Sequence, residues 1–303
     1  VEDALVVRLR AAGCVFAEDE ARLLRAAADG ARLDELVEAR VAGAPLEPLL
    51  GHVDFAGLRL RVMPGVFVPR QRSVFIARLA ARAVASAASA AAAAVAAAGP
   101  AGAVGDVGDV AAAGAVAAGG VAAPAVGILR EEARGSRPIV VEPYAGVAPL
   151  AAVVARAVPA ARVVVSDVST AALACARANV PGVLAVRGAC LTALPHALRG
   201  RVEVIAAVPP YVPSGELSLL PREAREYEPT AALTAGADGL REHRALAAAA
   251  TAWLAPGGVL LAELAAHQAR EMLAFARGLG LSARAVDDPG SGTTVLRVKR
   301  TSG

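Results

Sequence analysis

The sequence predicts an α/β protein, a doubly wound and mainly parallel sheet preceded by a small helical domain and a β-hairpin. Three observations carry this. From residue 136 onward, short Val-, Ile- and Leu-rich segments alternate with helical stretches, the signature of repeated βαβ units. Residues 52–68 show near-alternation of apolar and polar side chains, the two-residue period of strands. Residues 3–43 instead space Leu5, Leu9, Val15, Leu23, Leu24, Leu33, Leu36 and Val37 at helical intervals, with charges between them.

Taken in order, residues 1–50 form a helical domain in which Asp34-Glu35 open a last short helix that ends near Gly43. Residues 51–83 hold the hairpin, built on Val53, Phe55, Leu58, Leu60 and Val62 with Gly57 at the turn, and a connecting helix from about Ser73. That helix is expected to run on through alanines to about Ala98. Residues 84–135 are an Ala/Gly-rich insertion, and its part from Gly99 to Gly127 has too few large side chains to offset the entropy of ordering. Residues 136–303 form the α/β domain, with strands at 138–142, 162–166, 183–187, 202–207, 258–264, 283–287 and 293–298. Helices are expected at 147–157, 170–179, 239–254 and 267–279. The strands are apolar on both faces, as strands covered by helices on both sides must be.

Composition narrows the function. The net charge of +3 comes from scattered arginines with a single lysine, Lys299, and no basic stripe with interleaved aromatics, so nucleic acid is not expected as a direct ligand. Cys14, Cys175 and Cys190 are too far apart for a CxxC motif, and His52, His196, His243 and His267 show no metal-ligand spacing. The expectation is a cytoplasmic, monomeric protein without a metal. Ala83–Gly105 carries no charge, but alanine broken by Gly99, Pro100 and Gly102 lacks the large apolar content of a membrane span.

In a doubly wound sheet ligands bind at the carboxyl ends of the strands. The first strand of the domain ends at Glu142, followed by Pro143-Tyr144-Ala145-Gly146-Val147-Ala148. This is either a cofactor turn or an ordinary strand-to-helix turn. The second ends at Asp167, placed either to receive two ribose hydroxyls or to cap the next helix with Ser169 or Thr170. The third ends at Gly188-Ala189-Cys190, where no side chain suits an adenine amine and Cys190 reads as a small filler. The fourth ends at Val208-Pro209-Pro210-Tyr211-Val212-Pro213, a stiff loop whose proline carbonyls have no companion N–H.

Together these residues resemble the HemK-type protein-(glutamine-N5) methyltransferases, within the actinobacterial release-factor-methyltransferase-related group. The resemblance covers nearly the whole chain outside the insertion. It rests on Arg40-Val41-Ala42-Gly43-Ala44-Pro45-Leu46-Glu47, Gly65-Val66-Phe67-Val68-Pro69-Arg70 and Val208-Pro209-Pro210-Tyr211-Val212. It continues through Tyr227-Glu228-Pro229, Gly236-Ala237-Asp238-Gly239-Leu240, Leu254-Ala255-Pro256-Gly257-Gly258, and Leu260 to Glu263 with Gln268. It implies a Rossmann-like, seven-stranded methyltransferase domain that uses S-adenosylmethionine. The acceptor would be a glutamine side chain in a protein, such as the Gly-Gly-Gln loop of a release factor. The helical domain would help dock that protein or serve only as a packing unit, and Phe67 would cover the cofactor or simply fill the core. The cofactor residues implied are Glu142, Tyr144, Gly146, Ala148, Asp167, Ala189, Cys190 and Val208. The catalytic ones are Val208, Pro209, Pro210 and Tyr211.

The departures from the family pattern gather at this site. Val208 stands where the family has the Asn that holds the acceptor amide, Tyr144 and Ala148 replace two of three glycines, Glu142 replaces Asp, and Ala189 replaces an acid. Loss of one amide-orienting partner costs roughly 2–4 kcal/mol of transition-state stabilisation. The sequence therefore leaves two readings: a methyltransferase with a modified pocket, or an impaired relative acting as a binding or regulatory module.

Overall fold

The computed structural model describes residues 3–97 and 137–300. The stretch Gly99–Gly127, expected as a linker, lies outside the described residues.

Three helices, α1 (Ala4–Ala11), α2 (Ala17–Ala27) and α3 (Gly30–Val41), close around Leu9, Leu24, Leu36 and Val37, and a short α4 (Leu46–Leu50) follows. The helix expected to open at Asp34-Glu35 begins four residues earlier, at Gly30, with Asp29 before it. Val15, expected among the apolar helix positions, is exposed in the α1–α2 connection. Arg40 is buried, and two of its nitrogens bond the Glu20 carboxylate at 2.6 and 3.0 Å. Its Nη1 reaches Glu223 Oε1 at 2.8 Å, which ties the helical domain to the α/β domain.

Strands β1 (His52–Phe55) and β2 (Leu58–Arg61) pair in register about a two-residue turn in which Ala56 and Gly57 both have positive φ. That is the backbone twist a tight hairpin needs, and Gly57 supplies it without strain. Helix α5 (Val74–Ala97) runs past residue 84 without a break. By length and composition the stretch Gln71–Ala94, which starts in the turn before α5, could cross a membrane, yet Ile76, Ala77, Ala80 and Val84 on it are fully buried in the protein.

All seven strands anticipated for the α/β domain form one sheet: β3 (Ile139–Pro143), β4 (Arg162–Asp167), β5 (Leu184–Arg187), β6 (Val202–Ala207), β7 (Leu254–Leu264), β8 (Ser282–Asp288) and β9 (Thr293–Lys299). Their order is β5-β4-β3-β6-β7-β9-β8, parallel except that β9 lies antiparallel to both β7 and β8. The departure from an all-parallel sheet follows from connection length. Asp288 to Thr293 leaves room only for a hairpin turn, and a parallel crossover needs a dozen or more residues. One face packs against α5, α6 (Pro149–Ala157), α7 (Thr170–Asn179) and the hairpin. The other packs against α10 (Arg241–Trp253) and α11 (Ala269–Gly278). Two short helices that the sequence pattern did not reveal, α8 (Arg222–Tyr227) and α9 (Thr230–Leu233), lie in the long connection after β6. Strand order reverses between β3 and β6, so the crevice for a ligand opens at their carboxyl ends.

Candidate functional site at the switch point

Two cavities meet in that crevice. The first, of ≈ 280 Å³, is floored by Tyr144 and Gly146 after β3, Asp167 after β4, and Gly188, Ala189 and Cys190 after β5. Asp167 holds the turns around it. Its Oδ2 accepts from the Gly146 N–H at 2.9 Å and its Oδ1 from the Ser169 N–H at 2.8 Å. The cap of α7 is Ser169, whose hydroxyl accepts from Ala172 N–H, so Asp167 is not the capping residue. Tyr144 takes the left-handed conformation at φ 56° and donates its hydroxyl proton to Glu242 Oε2 at 2.9 Å. Burial pushes the Tyr144 phenol far above its usual range, with the Cys190 thiol and the Glu242 carboxylate adding to the effect. Burial also raises the Cys190 thiol, which fits a filler rather than a nucleophile.

The second cavity, of ≈ 370 Å³, lies on the other side of the Val208-Pro209-Pro210 loop, toward the helical domain. Phe67, Val208, Pro210 and Ala232 line both cavities and form the boundary between them. Three contacts pin the loop. Tyr211 hydroxyl accepts from Arg72 Nη2 at 2.5 Å and donates to Glu263 Oε1 at 3.2 Å. Gln268 Nε2 donates to the carbonyls of Tyr211 and Asp238 at 2.9 and 3.0 Å. Val212 pairs with Leu233 and Ala235 through backbone bonds of 3.0 and 3.1 Å. The strap Gly65–Arg70 is held from below by Glu228, which accepts from Val68 N–H at 3.3 Å and from Arg70 Nη2 at 2.7 Å. Burial raises the Glu228 carboxyl, while the Arg70 guanidinium pulls it down. The same guanidinium lies 4.9 Å over the Phe67 ring.

No family model matches the chain. It is 31% identical over 240 residues to the release factor glutamine methyltransferase of Streptomyces coelicolor, a match covering 78% of this chain and 69% of that protein. The chain belongs to the HemK-type glutamine methyltransferase family. It is also 28% identical over 289 residues to the release factor glutamine methyltransferase of Bradyrhizobium diazoefficiens, covering 88% of this chain and 82% of that one. A third relative is the 4-amino-L-phenylalanine/4-methylamino-L-phenylalanine methyltransferase of Streptomyces pristinaespiralis, 33% identical over 259 residues and covering 84% of this chain and 72% of the other. This HemK-type protein is thus a methyltransferase, and its cofactor is S-adenosylmethionine.

The residues expected at the HemK-type site divide into two groups. Tyr144, Gly146, Asp167, Ala189, Cys190 and Val208 come together around the first cavity, and Val208, Pro209, Pro210 and Tyr211 line the second. Glu142 and Ala148 do not line either. Glu142 is buried, and its carboxyl oxygens accept from the backbone N–H groups of Leu150 and Ala151 at 3.3 and 2.6 Å, in the first turn of α6. These two bonds cap the first turn of α6 from within the fold. Ala148 is fully buried at φ 60° before Pro149, where it shapes the turn into α6. Sequence reasoning missed Arg72, Glu228, Arg241, Glu242 and Glu263. Of these, Glu228 and Glu263 stood in segments already tied to the family, and their near-complete burial is what marks them.

Proposed function

We propose that this protein transfers a methyl group from S-adenosylmethionine to the side-chain amide nitrogen of a glutamine in a protein, with the Gly-Gly-Gln loop of a release factor as substrate. The observation that carries this is the shared wall between the two cavities. Phe67, Val208, Pro210 and Ala232 separate a cavity with a ribose-suited carboxylate, Asp167, from a cleft open toward the helical domain. The first cavity suits the cofactor chemically, with the small residues Gly188 and Ala189 and the charged Arg241 and Glu242 in its lining. The bound cofactor supplies an electrophilic methyl on a sulfonium, a good leaving group.

The chain's own task is to present the acceptor nitrogen and keep water out. The amide lone pair is delocalised into its carbonyl, so the nitrogen must be oriented and the charge growing on it stabilised. Val208 cannot do this through its side chain, and the task falls to backbone carbonyls of the Val208-Pro209 segment. Once the nitrogen has taken the methyl it releases a proton, restoring a neutral amide. Incubation with cofactor and a cognate release factor, followed by mass spectrometry of the Gly-Gly-Gln peptide, tests the reading. A gain of one methylene unit on the glutamine supports it, and an unmodified peptide with intact cofactor binding overturns it.

Val208 also favours a second reading, in which the acceptor is the aromatic amine of a free amino acid, as the Streptomyces pristinaespiralis relative's name states for that protein. An arylamine nitrogen has no amide group to be held, so an apolar side chain at this position costs it less. Methylation of 4-amino-L-phenylalanine in the same assay, without methylation of the peptide, selects this reading.

A further inference from the structure

Among the residues lining the cofactor-side cavity, three carry charge: Asp167 at the end of β4, and Arg241 and Glu242 at the start of α10. Arg241 and Glu242 open helix α10, and Arg241 Nε donates to Glu242 Oε1 at 2.9 Å. The second oxygen, Oε2, accepts from the Tyr144 hydroxyl at 2.9 Å. Tyr144 occupies a backbone position of φ 56°, which strains any residue with a Cβ. Its ring bridges from the turn after β3 to the start of α10, and Cys190 and Tyr144 both pack into the apolar cluster on that side of the sheet. A side chain held in a strained conformation by a specific hydrogen bond, on the wall of a ligand cavity, is a candidate for function.

We propose that Arg241 and Glu242, with Glu242 held by Tyr144, grip the zwitterionic amino-acid head of S-adenosylmethionine. The proposal rests on placing the ribose at Asp167. An α-amino acid head carries one ammonium and one carboxylate, and besides Asp167 the cavity offers one carboxylate and one guanidinium, both on α10. Glu242 is the anchor, because its side chain is only 22% exposed and Tyr144 orients it. Arg241 is the mobile partner, with its side chain 65% exposed. An ion pair this open contributes little by itself, so Arg241 exchanges Glu242 for the ligand carboxylate at small cost. Tyr144 therefore replaces the space a glycine would leave with a positioning group for Glu242.

The test compares two ligands by calorimetry on the full chain. S-adenosylhomocysteine keeps the amino-acid head, and 5′-methylthioadenosine keeps the nucleoside and thioether but lacks the head. The wild type is expected to bind S-adenosylhomocysteine at least about 100-fold more tightly. Glu242→Gln and Arg241→Ala are each expected to weaken it by about tenfold or more, and Tyr144→Phe by several-fold. Methylthioadenosine affinity is expected to stay within about twofold throughout, which also shows that each variant is folded. Equal weakening of both ligands, or unchanged S-adenosylhomocysteine affinity in Glu242→Gln, overturns the grip while leaving the cofactor placement standing. Weakening of both ligands by the same factor in Asp167→Ala is the expected result for ribose binding. Wild-type binding of neither ligand overturns the placement and the grip together.

Discussion

Gly239 lies so close to the Tyr211 carbonyl that a Cβ built on the glycine would come within 2.2 Å of that oxygen and 2.7 Å of Gln268 Nε2. The backbone at Gly239 also has φ 73°, a conformation open to glycine. The Gly-Ala-Asp-Gly-Leu segment is thus matched in shape to the Pro-Pro-Tyr loop. Gly239→Ala should lower stability by about 1–3 kcal/mol and push the loop toward the cavities. Thermal unfolding and acceptor KM measured on the same protein check this, and an unchanged KM would show that the close approach is only structural.

Gln268 satisfies two carbonyls, those of Tyr211 and Asp238, and its Oε1 accepts from Ala265 N–H at 3.1 Å. Gln268→Leu keeps the bulk and strands these partners in a buried place. The expected loss is about 1–3 kcal/mol per stranded group, partly offset by water where the loop loosens. Acceptor KM should rise more than cofactor Kd, because Tyr211 lines the cleft beyond the shared wall.

Val208→Asn restores a side chain able to hold an amide. Should the acceptor be glutamine, kcat is expected to rise by roughly 30- to 1,000-fold, the range of one transition-state hydrogen bond of about 2–4 kcal/mol. Should the acceptor be an arylamine, the same change places a polar group against an apolar ring and kcat falls. Steady-state rates with both acceptors separate the two cases.

Burial pushes the Glu142 carboxyl from an ordinary value of 4.5 up to about 8, against two backbone N–H groups that pull it down. A raised carboxyl holds its proton in the folded state while the unfolded chain has already lost it. Its contribution to stability is complete below about 4.5 and is lost as pH rises through about 8. Glu142→Gln, which cannot ionise, should flatten the fall in thermal midpoint across that window relative to wild type. Equal slopes in the two proteins would show that other groups set the pH dependence.

Much of this architecture was legible in the chain. The short runs at 202–207 and 293–298, rich in β-branched residues, read as strands, and Asn179 ending a helix after Thr170 followed from the helical period. The bounds of α8 and α9 were not legible, because six- and four-residue helices show too little period to detect. Gln268 was legible as a motif residue but not as the clamp on Tyr211, since its partners lie 57 and 30 positions away in sequence.

The sequence by itself determined the seven strands, the hairpin, the family and the Pro-Pro-Tyr loop, because each is written in local periodicity or a contiguous motif. Only the tertiary structure decided that Glu142 and Ala148 serve the turn into α6. It alone decided that Glu228 holds the Gly65–Arg70 strap and that Tyr144 reaches Glu242. The Glu228 and Tyr144 contacts join segments 160 and 98 positions apart that only the folded chain brings together, and Glu142 reaches across the tight turn from β3 into α6. A linear pattern encodes which residues can be buried, but distance in space settles which buried groups meet.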